Sequence, residues 1–207
     1  LDLYDAEIRY LDDAVGSFLD ALHEQGRRED TLVVITADHG EAFGEHGYYE
    51  HPRRLSDELL RVPLLLIHPD LDADSVSVPV STIDLVPTVL DTVGATDHDL
   101  PGESLWSILS DPEADADRTV YAQARGEHDE SNTVRFGAFT RAQRCTLVYD
   151  VETGEMVLDD PDCGDALIDR LETHVSERIS STTMSGGSDE STKDVSEAVE
   201  ARLEALG

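Results

Sequence analysis

The segment Thr36-Ala37-Asp38-His39-Gly40-Glu41 sets a carboxylate beside an imidazole directly after a β-branched run. An Asp and a His in that order, followed by a glycine that permits a sharp turn, can aim two donors at one cation. Asp38 offers a hard oxygen suited to Ca²⁺ or Mg²⁺, whereas His39 offers the imidazole favoured by Mn²⁺ or Zn²⁺. The same residues could instead form a polar turn in which Asp38 caps the next segment. Two more histidines follow, His46 in Gly44-Glu45-His46-Gly47 and His51 in Tyr49-Glu50-His51-Pro52, so three of the eight histidines fall within 13 residues. Glycines around them suggest a loop folded over a strand end, and such a cluster points to a site more strongly than one surface histidine does. His46 alone reads as a loop-stabilising residue. Glu41, Glu45 and Glu50 read as solvated loop acids. Arg53 and Arg54 either border an anionic substrate or pair with acidic neighbours.

The surrounding elements must hold these groups. Leu3, Tyr4, Ile8, Leu11, Val15, Phe18, Leu19 and Leu22 step by threes and fours, which predicts an amphipathic helix ending near Gly26. Leu32 to Thr36 and Val62 to Ile67 are continuous apolar runs. Strands apolar on both faces belong inside a parallel sheet covered by helices, and in open α/β sheets ligands sit at the carboxyl ends of such strands. Ser81-Thr82 opens a further helix through Val93 with Gly94 as its stop, Pro87 lying near the first turn where proline is tolerated. Asp84 falls near that helix N-terminus, where its charge suits the dipole. The order helix, strand, strand, helix predicts an α/β layer structure over residues 1–98.

A small α+β subdomain is expected over 99–179. Leu100 to Leu105 reads as a turn into a short helix carrying Trp106, which packs at the junction of the two parts. Thr119–Ala124, Val134–Thr140 and Cys145–Val151 read as short strands, and Ala166–Ile179 as a helix. Residues 180–193 read as a Ser/Thr/Gly-rich flexible linker. Residues 194–207 read as a terminal helix with Val195, Val199, Leu203 and Leu206 on one stripe.

Composition narrows the functional classes. Acids outnumber bases 46 to 15, a formal charge of −31 that repels phosphate backbones and excludes nucleic acid as a default partner. The acids spread from Asp2 to Glu204 and 14 of the 15 bases are arginine, as expected for a protein adapted to concentrated salt. No apolar run is long enough to span a bilayer. No signal peptide opens the chain, which favours the cytoplasm unless a leader lies in an earlier segment. Cys145 and Cys163 sit in no metal-spacing motif and read as two inert thiols. The chain opens on Leu1 inside a helical pattern and reads as the later part of a longer protein.

Tyr4-Asp5-Ala6-Glu7-Ile8-Arg9-Tyr10-Leu11-Asp12 and Asp30 through Glu41 together resemble the second half of the sulfatase family, within the alkaline-phosphatase-like superfamily. The similarity continues through Gly44-Glu45-His46-Gly47, Arg61-Val62-Pro63-Leu64, Ser81-Thr82-Ile83-Asp84-Leu85-Val86-Pro87-Thr88 and Leu100-Pro101-Gly102-Glu103-Ser104-Leu105. It is near continuous over residues 1–109 and weak afterwards until Arg202–Gly207.

The resemblance implies an alkaline-phosphatase-like mixed sheet sandwiched by helices, and cleavage of sulfate esters with one divalent cation. Ca²⁺ is favoured over Mn²⁺, Zn²⁺ or Mg²⁺. Asp38 and His39 take the family's later ligand pair, and His51 takes the position of the Lys or His that contacts sulfate oxygens. Where relatives carry Lys that group is always cationic, whereas His51 is charged only below its pKa. The family's formylglycine nucleophile arises from a Cys/Ser-x-Pro-x-Arg motif that this sequence lacks. The nucleophile and two further metal carboxylates are therefore expected in a missing N-terminal part, leaving the isolated chain inactive. Alternatives are phosphodiester or phosphonate hydrolysis, phosphotransfer within the same superfamily, and a non-catalytic truncated acidic domain.

Overall fold

The computed structural model describes residues 2–72, 75–95, 99–113, 115–126, 132–160 and 163–185. The expected terminal helix over 194–207 lies outside them.

Helix α1 runs from Asp2 to Glu24, as the apolar periodicity predicts. Gly26, at φ +66°, turns the chain out of it. None of its residues is buried, and Leu3 and Leu11 remain 83% and 62% exposed. Near its start the Tyr4 ring sets its edge to Phe43, with centroids 4.8 Å apart, and Val15, Leu19 and Leu22 are half-buried further along.

Strand β1, Val33–Thr36, pairs with β4, Leu64–Ile67, across a segment that contains the hairpin of β2, Ala42–Phe43, and β3, Tyr49–Glu50, and a one-turn helix α2, Asp57–Leu60. The pairing is antiparallel, with Val33 opposite Ile67 and Thr36 opposite Leu64, which corrects the expected parallel arrangement. A parallel neighbour requires a crossover along the whole strand. Here the connecting segment folds at the carboxyl end of β1 and delivers β4 from that same end. The α/β class itself holds. Leu64 and Leu66 on one face of β4 pack with Val78, Leu105 and Ile108.

Helix α3, Leu85–Thr92, follows a 3-10 turn at Thr82–Asp84, and α4, Leu105–Ser110, lies against it. The junction is stitched by polar groups one helical turn apart. Asp84 is fully buried and does more than balance a helix dipole. It accepts hydrogen bonds from Ser81 N at 2.7 Å, Glu103 N at 2.9 Å and Arg118 Nη2 at 2.8 Å. Thr88 Oγ1 accepts from Leu105 N at 2.8 Å, and Trp106 Nε1 donates to Thr92 Oγ1 at 2.8 Å. Gly102, at φ +94°, lets the intervening loop pass the Ile83 carbonyl where a Cβ would collide.

The second part is a four-stranded antiparallel sheet: β5 Val120–Arg125, β6 Thr133–Phe139, β7 Arg144–Asp150 and β8 Met156–Leu158. The short β8 was not legible in the sequence. Phe136 and Ala138 of β6 and Cys145 and Leu147 of β7 alternate toward helix α5, Asp165–Ser185, which answers with Leu167, Leu171 and Val175 at four-residue spacing. This helix continues through the first residues of the expected linker.

Cys145 and Cys163 form a disulfide between β7 and the segment preceding α5, with Cα atoms 5.3 Å apart. The two inert thiols of the sequence reading are thereby corrected. Sheet register and α5 packing bring the sulfurs together, and neither relation is visible in two cysteines 18 residues apart.

Candidate active site

Strand β1 ends at Thr36, and Asp38-His39-Gly40 forms its tip. Gly40 is required there by close approach: its N–H donates to Leu59 O at 2.8 Å, and an added Cβ would fall on the Glu58 carbonyl of α2. The tip is thus seated against α2 while Asp38 and His39 remain accessible.

Their hydrogen bonds orient both groups. Asp38 Oδ1 accepts from His39 N at 3.0 Å, leaving Oδ2 facing His39 Nε2 at 3.8 Å. His39 Nδ1 lies 2.9 Å from Gly40 O. A carbonyl only accepts, so Nδ1 carries the hydrogen and Nε2 of the neutral ring keeps its lone pair. A backbone carbonyl on the second ring nitrogen is the usual way a metal-binding histidine is oriented. Donors each about 2.1–2.5 Å from one cation stand roughly 3–4 Å apart. The Asp38–His39 pair therefore fits two positions of a divalent-cation shell. Among the described residues no cluster of three or more His, Cys, Asp or Glu side chains forms a fuller one.

A short hairpin returns the chain to this tip. Strands β2, Ala42–Phe43, and β3, Tyr49–Glu50, pair around Gly44, whose N–H donates to Tyr48 O at 2.8 Å. His51 leaves β3 directly and stacks on His39, with ring centroids 4.7 Å apart and planes 30° apart. The structure thus brings Asp38, His39 and His51 together, 13 residues apart at most in sequence. His46 stands apart in the hairpin turn at φ +53°. Nearby, the Glu58 carboxyl is held below its ordinary pKa chiefly by hydrogen bonds from Ser56 and its own backbone, against the opposing effect of burial and with smaller help from His46 and Arg144.

Two loop acids are more than solvated. The side chain of Glu41, only a quarter exposed, places Oε2 3.8 Å from His51 Nδ1. Glu45 Oε2 accepts from Phe43 N at 2.6 Å and braces the hairpin. Sequence reasoning missed these contacts because they depend on a hairpin that two-residue strands do not announce. Arg54 stacks its guanidinium 4.6 Å from the Tyr48 ring centroid. Asp38, His39, His51 and Arg54 line one cleft of about 1130 Å³, whose far wall is β5 and the β6–β7 turn.

Residues 1–95 match the family model of the sulfatases. An uncharacterised sulfatase of Escherichia coli, YidJ, is 35% identical over 107 residues, covering 51% of this chain and 21% of that protein. The Haloferax volcanii protein named low-salt glycan biosynthesis sulfotransferase Agl7 is 37% identical over 121 residues, covering 53% of this chain and 30% of its own length. Among solved structures, a 2-O GAG sulfatase superposes with a TM-score of 0.60 at 21% identity, covering 86% of this chain and 42% of that one. The fold extends that similarity through the antiparallel sheet, well beyond residue 95. The chain spans less than a third of the length of these sequence relatives.

Proposed function

We propose, from the match of residues 1–95 to the sulfatase family model, that the chain forms part of a sulfate-ester hydrolase, with Asp38 and His39 holding a divalent cation and His51 meeting the sulfate oxygens. The observation that supports this reading is the convergence of Asp38 Oδ2 and His39 Nε2, 3.8 Å apart, beside the stacked ring of His51. A bound cation neutralises charge on the ester oxygens and favours an anionic nucleophile. Asp38 supplies a hard anionic oxygen and His39 a neutral nitrogen already oriented by Gly40. Ca²⁺ is the favoured ion, with Mn²⁺, Zn²⁺ and Mg²⁺ as the alternatives. The His51 imidazole offers a ring N–H to the sulfate oxygens, with Glu41 Oε2 3.8 Å from its Nδ1. No Cys/Ser-x-Pro-x-Arg motif occurs in these 207 residues, so the formylglycine nucleophile of the family is supplied from outside them and the chain alone does not turn over.

A second acceptor is favoured by one comparison. The Haloferax volcanii relative bears the name of a sulfotransferase, and the same site would serve transfer of a sulfuryl group to a sugar hydroxyl in place of water.

The test uses the natural full-length protein with an aryl sulfate and an aryl phosphodiester, each with and without a sugar acceptor. Sulfate release that falls roughly a thousandfold in Asp38→Ala, the scale of several kcal/mol of charge neutralisation, is the expected result. Preference for the phosphodiester, or full activity in Asp38→Ala, overturns it.

A further inference from the structure

The cleft reverses the sign of the molecule. In a chain with 46 acids and 15 bases, its lining contains four arginines, Arg54, Arg61, Arg141 and Arg144, against two aspartates, Asp38 and Asp57. These arginines are not equivalent. Arg61 Nε lies 3.4 Å from Asp57, and Arg144 reaches Asp57 at 3.6 Å and Asp160 at 3.7 Å, so both are neutralised within the protein. Arg54 rests on the Tyr48 ring, with no ion pair to a carboxylate among the described residues. Arg141 has no ion pair or hydrogen bond among the described residues, although acids outnumber bases threefold in the chain as a whole.

The backbone that carries Arg141 is also held in place. It occupies the turn between β6 and β7, where Thr140 N donates to Gln143 O at 2.8 Å and Gln143 N donates to Thr140 Oγ1 at 3.0 Å. The Gln143 side chain lies against Gly164, next to the Cys145–Cys163 disulfide. The turn therefore carries an uncompensated guanidinium on a braced support, on the wall that faces the β1 tip. A guanidinium presents a planar fork of donors suited to carboxylate or sulfate oxygens.

We propose that Arg141, assisted by Arg54, binds a second anionic group of the substrate, so that the preferred ester is a sulfated acidic saccharide bearing a further carboxylate or sulfate. This rests on the sulfate-ester reading of the cleft and assigns its specificity. The Asp38–His39–His51 end receives the scissile sulfate, and Arg141 selects among esters by what else they carry.

The experiment compares wild type, Arg141→Gln, Arg141→Lys and, as a control outside the cleft, Arg9→Gln in the full-length protein. Probes are 4-nitrophenyl sulfate, N-acetylglucosamine 6-sulfate, a disulfated N-acetylglucosamine and a sulfated uronate disaccharide. In Arg141→Gln, KM for the two doubly anionic sugars is expected to rise roughly three- to tenfold at unchanged kcat, the scale of one partly exposed charge-assisted contact. The singly charged probes should be unaffected, Arg141→Lys should recover part of the loss, and Arg9→Gln should match wild type. A larger effect on the disulfated sugar or on the uronate identifies the second anion. Equal KM changes for all probes, or none for any, overturn the assignment. Calorimetric binding of the doubly anionic sugars separates the two readings. Absence of all sulfate hydrolysis with Arg141-dependent binding condemns the hydrolase proposal alone, whereas binding indifferent to Arg141 condemns this one.

Discussion

Arg118 and Asp84, 34 residues apart in sequence, meet through Arg118 Nη2 and Asp84 Oδ1 at 2.8 Å with the carboxylate wholly buried. Arg118 also donates to Pro79 O at 2.7 Å and to Glu103 Oε2 at 3.1 Å. Burial opposes its charge, but the hydrogen bonds and charges of Asp84 and Glu103 hold its pKa above the ordinary value. Removing the guanidinium leaves a buried anion with only backbone donors. Arg118→Met should therefore lower unfolding free energy by about 3–5 kcal/mol, measured by urea denaturation. A loss below about 1 kcal/mol, the scale of an exposed pair, would contradict this account of the junction.

Gly40 carries a second prediction. Because a Cβ there would meet the Glu58 carbonyl, Gly40→Ala must push α2 and the β1 tip apart. Overpacking of this kind costs about 1–3 kcal/mol, and the displaced Asp38 and His39 should lose divalent-cation affinity. Calorimetric titration with Ca²⁺ or Mn²⁺ beside thermal melting checks both effects. Wild-type affinity in Gly40→Ala would show that the tip needs no such seat.

His174 on α5 stacks on Tyr121, with centroids 4.0 Å apart and planes 4° apart. Burial, and then the positive charge of Arg178, push its pKa below the ordinary 6.5, with Glu177 opposing. The unfolded chain therefore binds this proton more readily than the folded one, so stability rises with pH across the interval. The contribution is complete above pH 6.5 and is lost as pH falls through the lower folded value. Chemical denaturation at a series of pH values should show wild type losing stability relative to His174→Gln below pH 6.5. Parallel profiles would refute it.

The charge of −31 predicts a salt requirement. Screening shortens from about 10 Å at 0.1 M to about 3 Å at 1 M, which relieves repulsion within the compact state. The melting temperature should climb steadily with KCl toward molar concentrations. A flat or falling dependence would remove the case for salt adaptation.

Legibility in the sequence followed the range of the interactions involved. Helix α1 and the strand that precedes Asp38-His39 declare themselves through periodicity and a run of β-branched residues, both local signals. The antiparallel sense of β1 and β4 does not, because an apolar run carries no direction and the returning segment decides it. Asp84 was read as a helix-terminal charge since its partner Arg118 lies on a distant turn. Within the site, Asp38, His39 and His51 were visible because one hairpin spans them. Arg141 escaped notice because only the β6–β7 register places it across the same cleft.

The bridge between Cys145 and Cys163 ties the antiparallel sheet to the start of α5, beside the turn that carries Arg141. Where thioredoxin and glutathione keep thiols reduced, such bridges are rare. In those surroundings α5 would be held by packing and by the hydrogen bonds of Arg170 to Asp117 O and Thr119 Oγ1, and the β6–β7 turn would lose the covalent brace behind it. The wall of the cleft that carries Arg141 is thereby linked to the oxidising power of its surroundings.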